Sequence, residues 1–321
     1  MGTVSVEVAA DSADTTRPMR ADSRPCAFVV ADVFTRTPFA GNPLAVVLDA
    51  ESLSAGEMQA IAREFNYSET TFVLPPVCRA ATAHVRIFTP RIEVPFAGHP
   101  NIGTAVVLGR RNDAGSNPGA DQFLFEEAAG MVPVRLIREE GSVVAAELTA
   151  PGPLEVSPAV SARDAAACLA LDVDDICSLT HQPQVASVGL PFLIVELTGR
   201  DALRRAHADL SAHARILPPL GTDAVYAYCL DRDPHRLQAR AFAPLDGCSE
   251  DPATGSATAA AIALRVLCHP LPGCTSQWTV HQGVDLGRPS LILGSVVKEE
   301  GAIRQVRIAG HAVTVMQGCL L

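Results

Sequence analysis

The chain has 321 residues, 48% apolar and 19% charged, with 25 basic against 35 acidic side chains and a net charge of −10. That length allows two ordinary domains, each with its own core, and the composition is too apolar for a disordered protein. An acidic chain without a Lys/Arg run is a poor nucleic-acid binder, because phosphate neutralisation supplies most of that affinity. The expected partner is a small molecule. Nine cysteines form no C-x-x-C pair and no zinc-like spacing, which reads as free thiols in a reducing cytoplasm and no metal. No apolar run reaches membrane-spanning length, so no membrane partner is expected.

Residues 1–25 carry charges of both signs and lack a signal peptide's apolar core, so they read as a disordered tail. Strands are predicted over 27–34 and 44–48. Ser54 caps a helix ending at Phe65, with Glu57 placed for a capping box and Asn66-Tyr67 for a left-handed end. Glu69 then falls in a junction loop ahead of the strand Phe72–Leu74. A strand over 84–88, a helix over 101–111 and strands over 122–126, 132–138 and 143–148 complete an N-terminal domain, 26–150. Ala150-Pro151-Gly152-Pro153 reads as the linker. The C-terminal domain, 151–321, opens with a helix over 162–171 and strands over 184–189 and 192–197. A helix near 201–208 and strands over 224–230 and 237–242 follow, then a helix over 256–268. Strands over 278–281, 290–297 and 303–310 end the chain, and terminal strands are allowed to cross between domains.

One pattern occurs twice. Arg86-x-Phe88-x-Pro90 precedes Phe96-Ala97-Gly98-His99-Pro100-Asn101, and Arg240-x-Phe242-x-Pro244 precedes Asp251-Pro252-Ala253-Thr254-Gly255-Ser256. Each copy reads as a strand, a loop and the start of an apolar helix. A fainter echo links Phe123-x-Phe125-Glu126 to Trp278-x-Val280-His281. Two such units predict two similar domains, with two helix N-termini offering free N–H groups to one cleft.

The loops exclude several chemistries. Gly98 to Thr104 lacks the Lys of a phosphate loop, no G-x-G-x-x-G follows a strand, and no G-x-S-x-G elbow occurs. Glu69, His99, Asp251 and Ser256 each have an ordinary explanation: a solvated turn acid, a satisfied imidazole, a helix-dipole charge and a cap. Together, across a pseudo-symmetric cleft, they make a candidate acid–base site.

The chain also resembles the phenazine-biosynthesis PhzF family. The likeness lies in Gly41-Asn42-Pro43, the run Met58 to Val73, the blocks 86–100 and 250–257, and Gln282-Gly283 through Gly287-Arg288-Pro289-Ser290. The resemblance implies an α+β fold of two diaminopimelate-epimerase-like domains, each a curved, mostly antiparallel sheet or barrel around a central helix. It implies a homodimer and a cofactor-independent isomerase in secondary metabolism, such as phenazine or another antibiotic pathway. The activity is most like trans-2,3-dihydro-3-hydroxyanthranilate isomerisation on a carboxylate-bearing substrate. By the same resemblance Glu69 is the acid/base, and His99, Asp251 and Ser256 assist. Ser68, Gly98 and Gly255 hold substrate polar groups. Racemases of this fold use two cysteines, but neither helix start carries one, and Cys248 reads as too far ahead of its helix to serve. Alternatives left open are another unsaturated amino or dicarboxylic acid, such as a proline-type antibiotic precursor, a C–C bond cleavage, and a non-catalytic binding protein.

Overall fold

The computed structural model describes residues 25–113 and 119–321. Residues 1–24 of the expected tail lie outside it. In chain order the elements are β1 (Cys26–Val33), β2 (Asn42–Val47), α1 (Ala55–Phe65), β3 (Glu69–Leu74), β4 (Ala83–Phe88), β5 (Glu93–Val94), α2 (Gly98–Asp113), β6 (Gln122–Glu127), β7 (Gly130–Glu139) and β8 (Ser142–Thr149). There follow β9 (Glu155–Ala159), α3 (Ala162–Cys168), β10 (Gln184–Ser187), β11 (Pro191–Glu196), α4 (Arg200–Arg205), α5 (Leu210–Ile216), β12 (Val225–Leu230), β13 (Arg236–Ala243), β14 (Cys248–Asp251), α6 (Gly255–Cys268), β15 (Cys274–Gln282), β16 (Ser290–Glu299) and β17 (Ala302–Leu320).

The first half closes on itself as β1–β2–β3–β4–β6–β7–β8–β17, with β17 returning to β1. Closure leaves no unpaired edge. The second half wraps β9–β10–β11–β12–β13–β15–β16–β17 around α6. Each half has parallel pairs at equivalent places, β2–β3 and β4–β6 in the first, β11–β12 and β13–β15 in the second. The duplicated motif is thus a duplicated topology. His84 pairs with Glu126, and Gln238, the counterpart of His84, pairs with His281. This is the register that the faint sequence echo describes.

Both central helices are enclosed by their sheets. On α6 the run Ala257 to Leu264 is entirely buried, as expected of a helix that is apolar on every side. Its alanines let the strands approach closely, while Ile262 and Leu264 each contribute about 1.5–3 kcal/mol through burial. Helix α1 packs outside the first barrel. Ser54 and Glu57 form its capping box and Asn66 ends it in the left-handed conformation, as the sequence predicts.

Several boundaries differ from the sequence reading. Glu69 is not in a loop but begins β3, paired with Leu44 of β2. Helix α2 starts at Gly98 rather than Asn101, because Pro100 in a first turn forfeits only an N–H that has no helical acceptor. Helix α3 stops at Cys168, with Ala170 at φ 50° breaking the run towards 171. Strand β9 and helix α5 were not anticipated. The last strand runs from 302 to 320, well past the expected end at Gly310. That glycine is a point of close approach, since a Cβ there would lie 2.2 Å from Phe34 Cδ1. Beyond it, residues 312–320 pair with β1, so a division at 150 assigns to the second half a segment that completes the first barrel.

Candidate active site

The N-termini of α2 and α6 meet between the two halves. A Cβ on Gly98 would lie 3.7 Å from the backbone nitrogen of Ser256, so the first turns abut and their free N–H groups converge. Thr254 precedes α6. Ser256 is therefore inside the helix and not its cap.

The start of β3 supplies Ser68 and Glu69, the start of α2 supplies His99, and β14 supplies Asp251. His99 Nδ1 lies 3.4 Å from Glu69 Oε2. That Glu69 oxygen and His99 Nε2 are buried and have no hydrogen-bond partner. Burial lowers the pKa of His99 to about 3. The imidazole is thus neutral near pH 7, and its contact with Glu69 is not an ion pair.

The two carboxylates differ in their surroundings. Asp251 accepts from Asn42 Nδ2 at 2.8 Å, Ser68 Oγ at 3.0 Å and Thr254 Oγ1 at 2.5 Å. Burial raises its pKa, and these three donors oppose the rise. Among the described residues no donor reaches the buried Glu69 Oε2. Burial, then the charges of Asp251 and Asp246, push the carboxyl to about 8. Both acids are thus raised by burial, but only Asp251 has donors that oppose the rise, while its charge adds to the rise at Glu69.

Of the sequence candidates, Ser68, Glu69, His99 and Asp251 form one connected cluster, while Gly98, Gly255 and Ser256 sit at the paired helix starts beside it. Asn42, Thr254 and Gln282 were not singled out. Asn42 also donates to Ala253 O at 2.9 Å. Gln282 donates to Asp251 O at 2.8 Å and to Thr254 Oγ1 at 3.0 Å, and accepts from Thr254 N at 3.0 Å. Gly41-Asn42-Pro43 and Gln282-Gly283 were visible as motifs, but their contacts join residues more than 200 and about 30 positions apart, and no local pattern encodes them. Cys248, at the start of β14, lies close enough to Asp251 and Glu69 to feel their charges. Burial and those charges push its thiol to about 12, so it is a neutral wall rather than a nucleophile.

These features make the cluster between the two pseudo-symmetric halves the candidate active site. Residues 31–318 match the family described as phenazine biosynthesis-like protein (PhzC-PhzF), and the chain belongs to that family. It is 38% identical to an uncharacterized isomerase of Mesorhizobium japonicum, covering 91% of this chain and 98% of that one. It is 35% identical to the trans-2,3-dihydro-3-hydroxyanthranilate isomerase of Pseudomonas chlororaphis, covering 92% and 99%. A PhzF-family phenazine biosynthesis protein from Bacillus anthracis superposes with a TM-score of 0.82 at 25% identity, over 93% of this chain and all of the other. The expected α+β fold of two epimerase-like halves, each a sheet or barrel around a central helix, is the one observed. Among the described residues no helix is long and apolar enough to cross a membrane.

Proposed function

We propose that this isomerase shifts a proton on a small unsaturated cyclic amino acid, most like trans-2,3-dihydro-3-hydroxyanthranilate, with Glu69 as the single acid/base and no cofactor. The observation that carries this reading is Glu69 itself: a carboxyl with a buried oxygen unpartnered among the described residues, raised to about 8 beside Asp251 and a neutral His99. Ionised Glu69 removes the proton from the hydroxyl-bearing C3 and returns it at C1, and a carboxylate over one ring face reaches both carbons. The charge of Asp251 raises the proton affinity of Glu69 and favours its taking the proton. His99 and Ser256 meet the polar substituents, while Ser68 and the N–H groups at Gly98 and Gly255 hold the substrate carboxylate. General acid–base catalysis of this kind contributes about 10²–10⁴-fold.

The cavity at the paired helix starts measures about 20 Å³. It is lined by Gly98, Gly255 and Ser256 but not by Glu69, His99 or Asp251. The same acid–base pair suits another unsaturated acid, a reading favoured by the 38% identical relative, whose name carries no substrate. Incubation with trans-2,3-dihydro-3-hydroxyanthranilate separates the two. Conversion that is lost in Glu69→Gln supports the phenazine-type substrate, and no conversion by a folded protein sends the search to other unsaturated acids.

A further inference from the structure

The mouth of the cleft is spanned by a contact outside the acid–base cluster. The segment Pro244–Asp246 forms a single 3₁₀ turn, and Gly247 leaves it in the left-handed conformation at φ 89°. This turn leads directly into β14, which carries Cys248 and Asp251. From the other half, Arg91 donates through Nη1 to Leu245 O at 2.8 Å. Its guanidinium also lies under Gly247, where a Cβ would sit 2.9 Å from Nη2. An alanine at 247 would strain the left-handed backbone and push the Arg91 guanidinium aside.

Arg91 is itself held rigidly. Thr89 Oγ1 accepts from the backbone N–H groups of Arg91 at 3.2 Å and Ile92 at 3.0 Å, and Gln59 of α1 donates to Thr89 O at 2.9 Å. The turn lies close enough to Glu69 for the Asp246 charge to act on it.

We propose that Arg91 is a positioning residue that closes the cleft, gripping the Pro244–Gly247 turn so that Cys248 and Asp251 stay packed against Ser68 and Glu69. The grip concerns the same site but stands whichever substrate the site takes. Among the described residues Arg91 Nη1 to Leu245 O is the side-chain hydrogen bond that joins the β4–β5 loop to this turn. Losing it frees the turn to swing out without unfolding either barrel.

Cys248 is a built-in reporter, because it follows the turn and is only partly buried. The test is iodoacetamide alkylation of the full chain without substrate, read cysteine by cysteine by peptide mass spectrometry. The exposed Cys268 and Cys319 serve as internal references. In Arg91→Ala the Cys248 rate should rise about tenfold, the effect of removing one charge-assisted hydrogen bond from a local opening equilibrium, with both references unchanged. Arg91→Lys, which keeps a donor, should restore most of the protection. Gly247→Ala should expose Cys248 with Arg91 intact, which covers the case that Arg91→Ala fails to fold. A Cys248 rate unchanged in folded Arg91→Ala, or raised equally in Arg91→Lys, would overturn the proposal.

Discussion

Replacing Glu69 by Gln should stabilise the protein in a pH-dependent way while abolishing turnover. The carboxyl has an ordinary value of 4.5 and is raised to about 8 in the fold. A group raised on folding contributes its stability below the unfolded value and loses it as pH climbs through the folded one. Here that window runs from about 4.5 to about 8. Linkage puts the cost of carrying Glu69 at about 1 kcal/mol at pH 5, about 3 at pH 7 and about 4 at pH 8. Glutamine is isosteric and never ionises, so it escapes the cost. Urea unfolding of both proteins should show the variant gaining roughly 3 kcal/mol relative to wild type between pH 5 and pH 8. A stability difference that does not change with pH would mean that Glu69 is not desolvated, and the assignment of its proton affinity would fall.

Below its raised pKa the active, ionised fraction of Glu69 grows with pH. On the proposed mechanism kcat/KM should therefore rise about tenfold per unit up to about pH 8. Asp251→Asn, which removes a charge opposing ionisation of Glu69, should move that limb to lower pH, and an unmoved limb would uncouple the two acids. Lys298 is buried, and its ammonium donates to Val266 O, Leu267 O and His269 O at the end of α6. Lys298→Met should cost about 1–3 kcal/mol in urea unfolding without changing the pH profile. Cys248→Ser and chelator treatment should both leave turnover within about threefold, since the thiol is neutral, and a large loss in either would revive a thiol or metal mechanism. Light scattering should give about twice the 33.7 kDa chain mass if the homodimer implied by the family resemblance forms.

What the sequence disclosed and what it withheld divide along physical lines. The capping box at Ser54 and Glu57 is local chemistry and was legible. So was the repeated strand–loop–helix unit, because a duplicated topology leaves the same residues at the same offsets. The length of β17 was not, because Gly310 looks like a terminator until Phe34 is seen lying against it. Glu69, His99 and Asp251 were nameable from their motifs. Their unequal proton affinities were not, since these arise from Asn42 and Thr254 donating to one acid and no donor among the described residues reaching the buried oxygen of the other. That Cys248 lies near Asp251 and Glu69 was not legible either, since distance along the chain from α6 says nothing about where β14 packs.

The most direct test of the central claim is to follow trans-2,3-dihydro-3-hydroxyanthranilate with the purified protein in D₂O, by ultraviolet absorbance and NMR, beside the Glu69→Gln variant. Single-base isomerisation predicts loss of the diene absorbance and a new C–H bond at C1 with wild type, deuterated to the extent that protonated Glu69 exchanges with D₂O before returning its proton, and neither with the variant. Turnover that survives in Glu69→Gln would contradict the account.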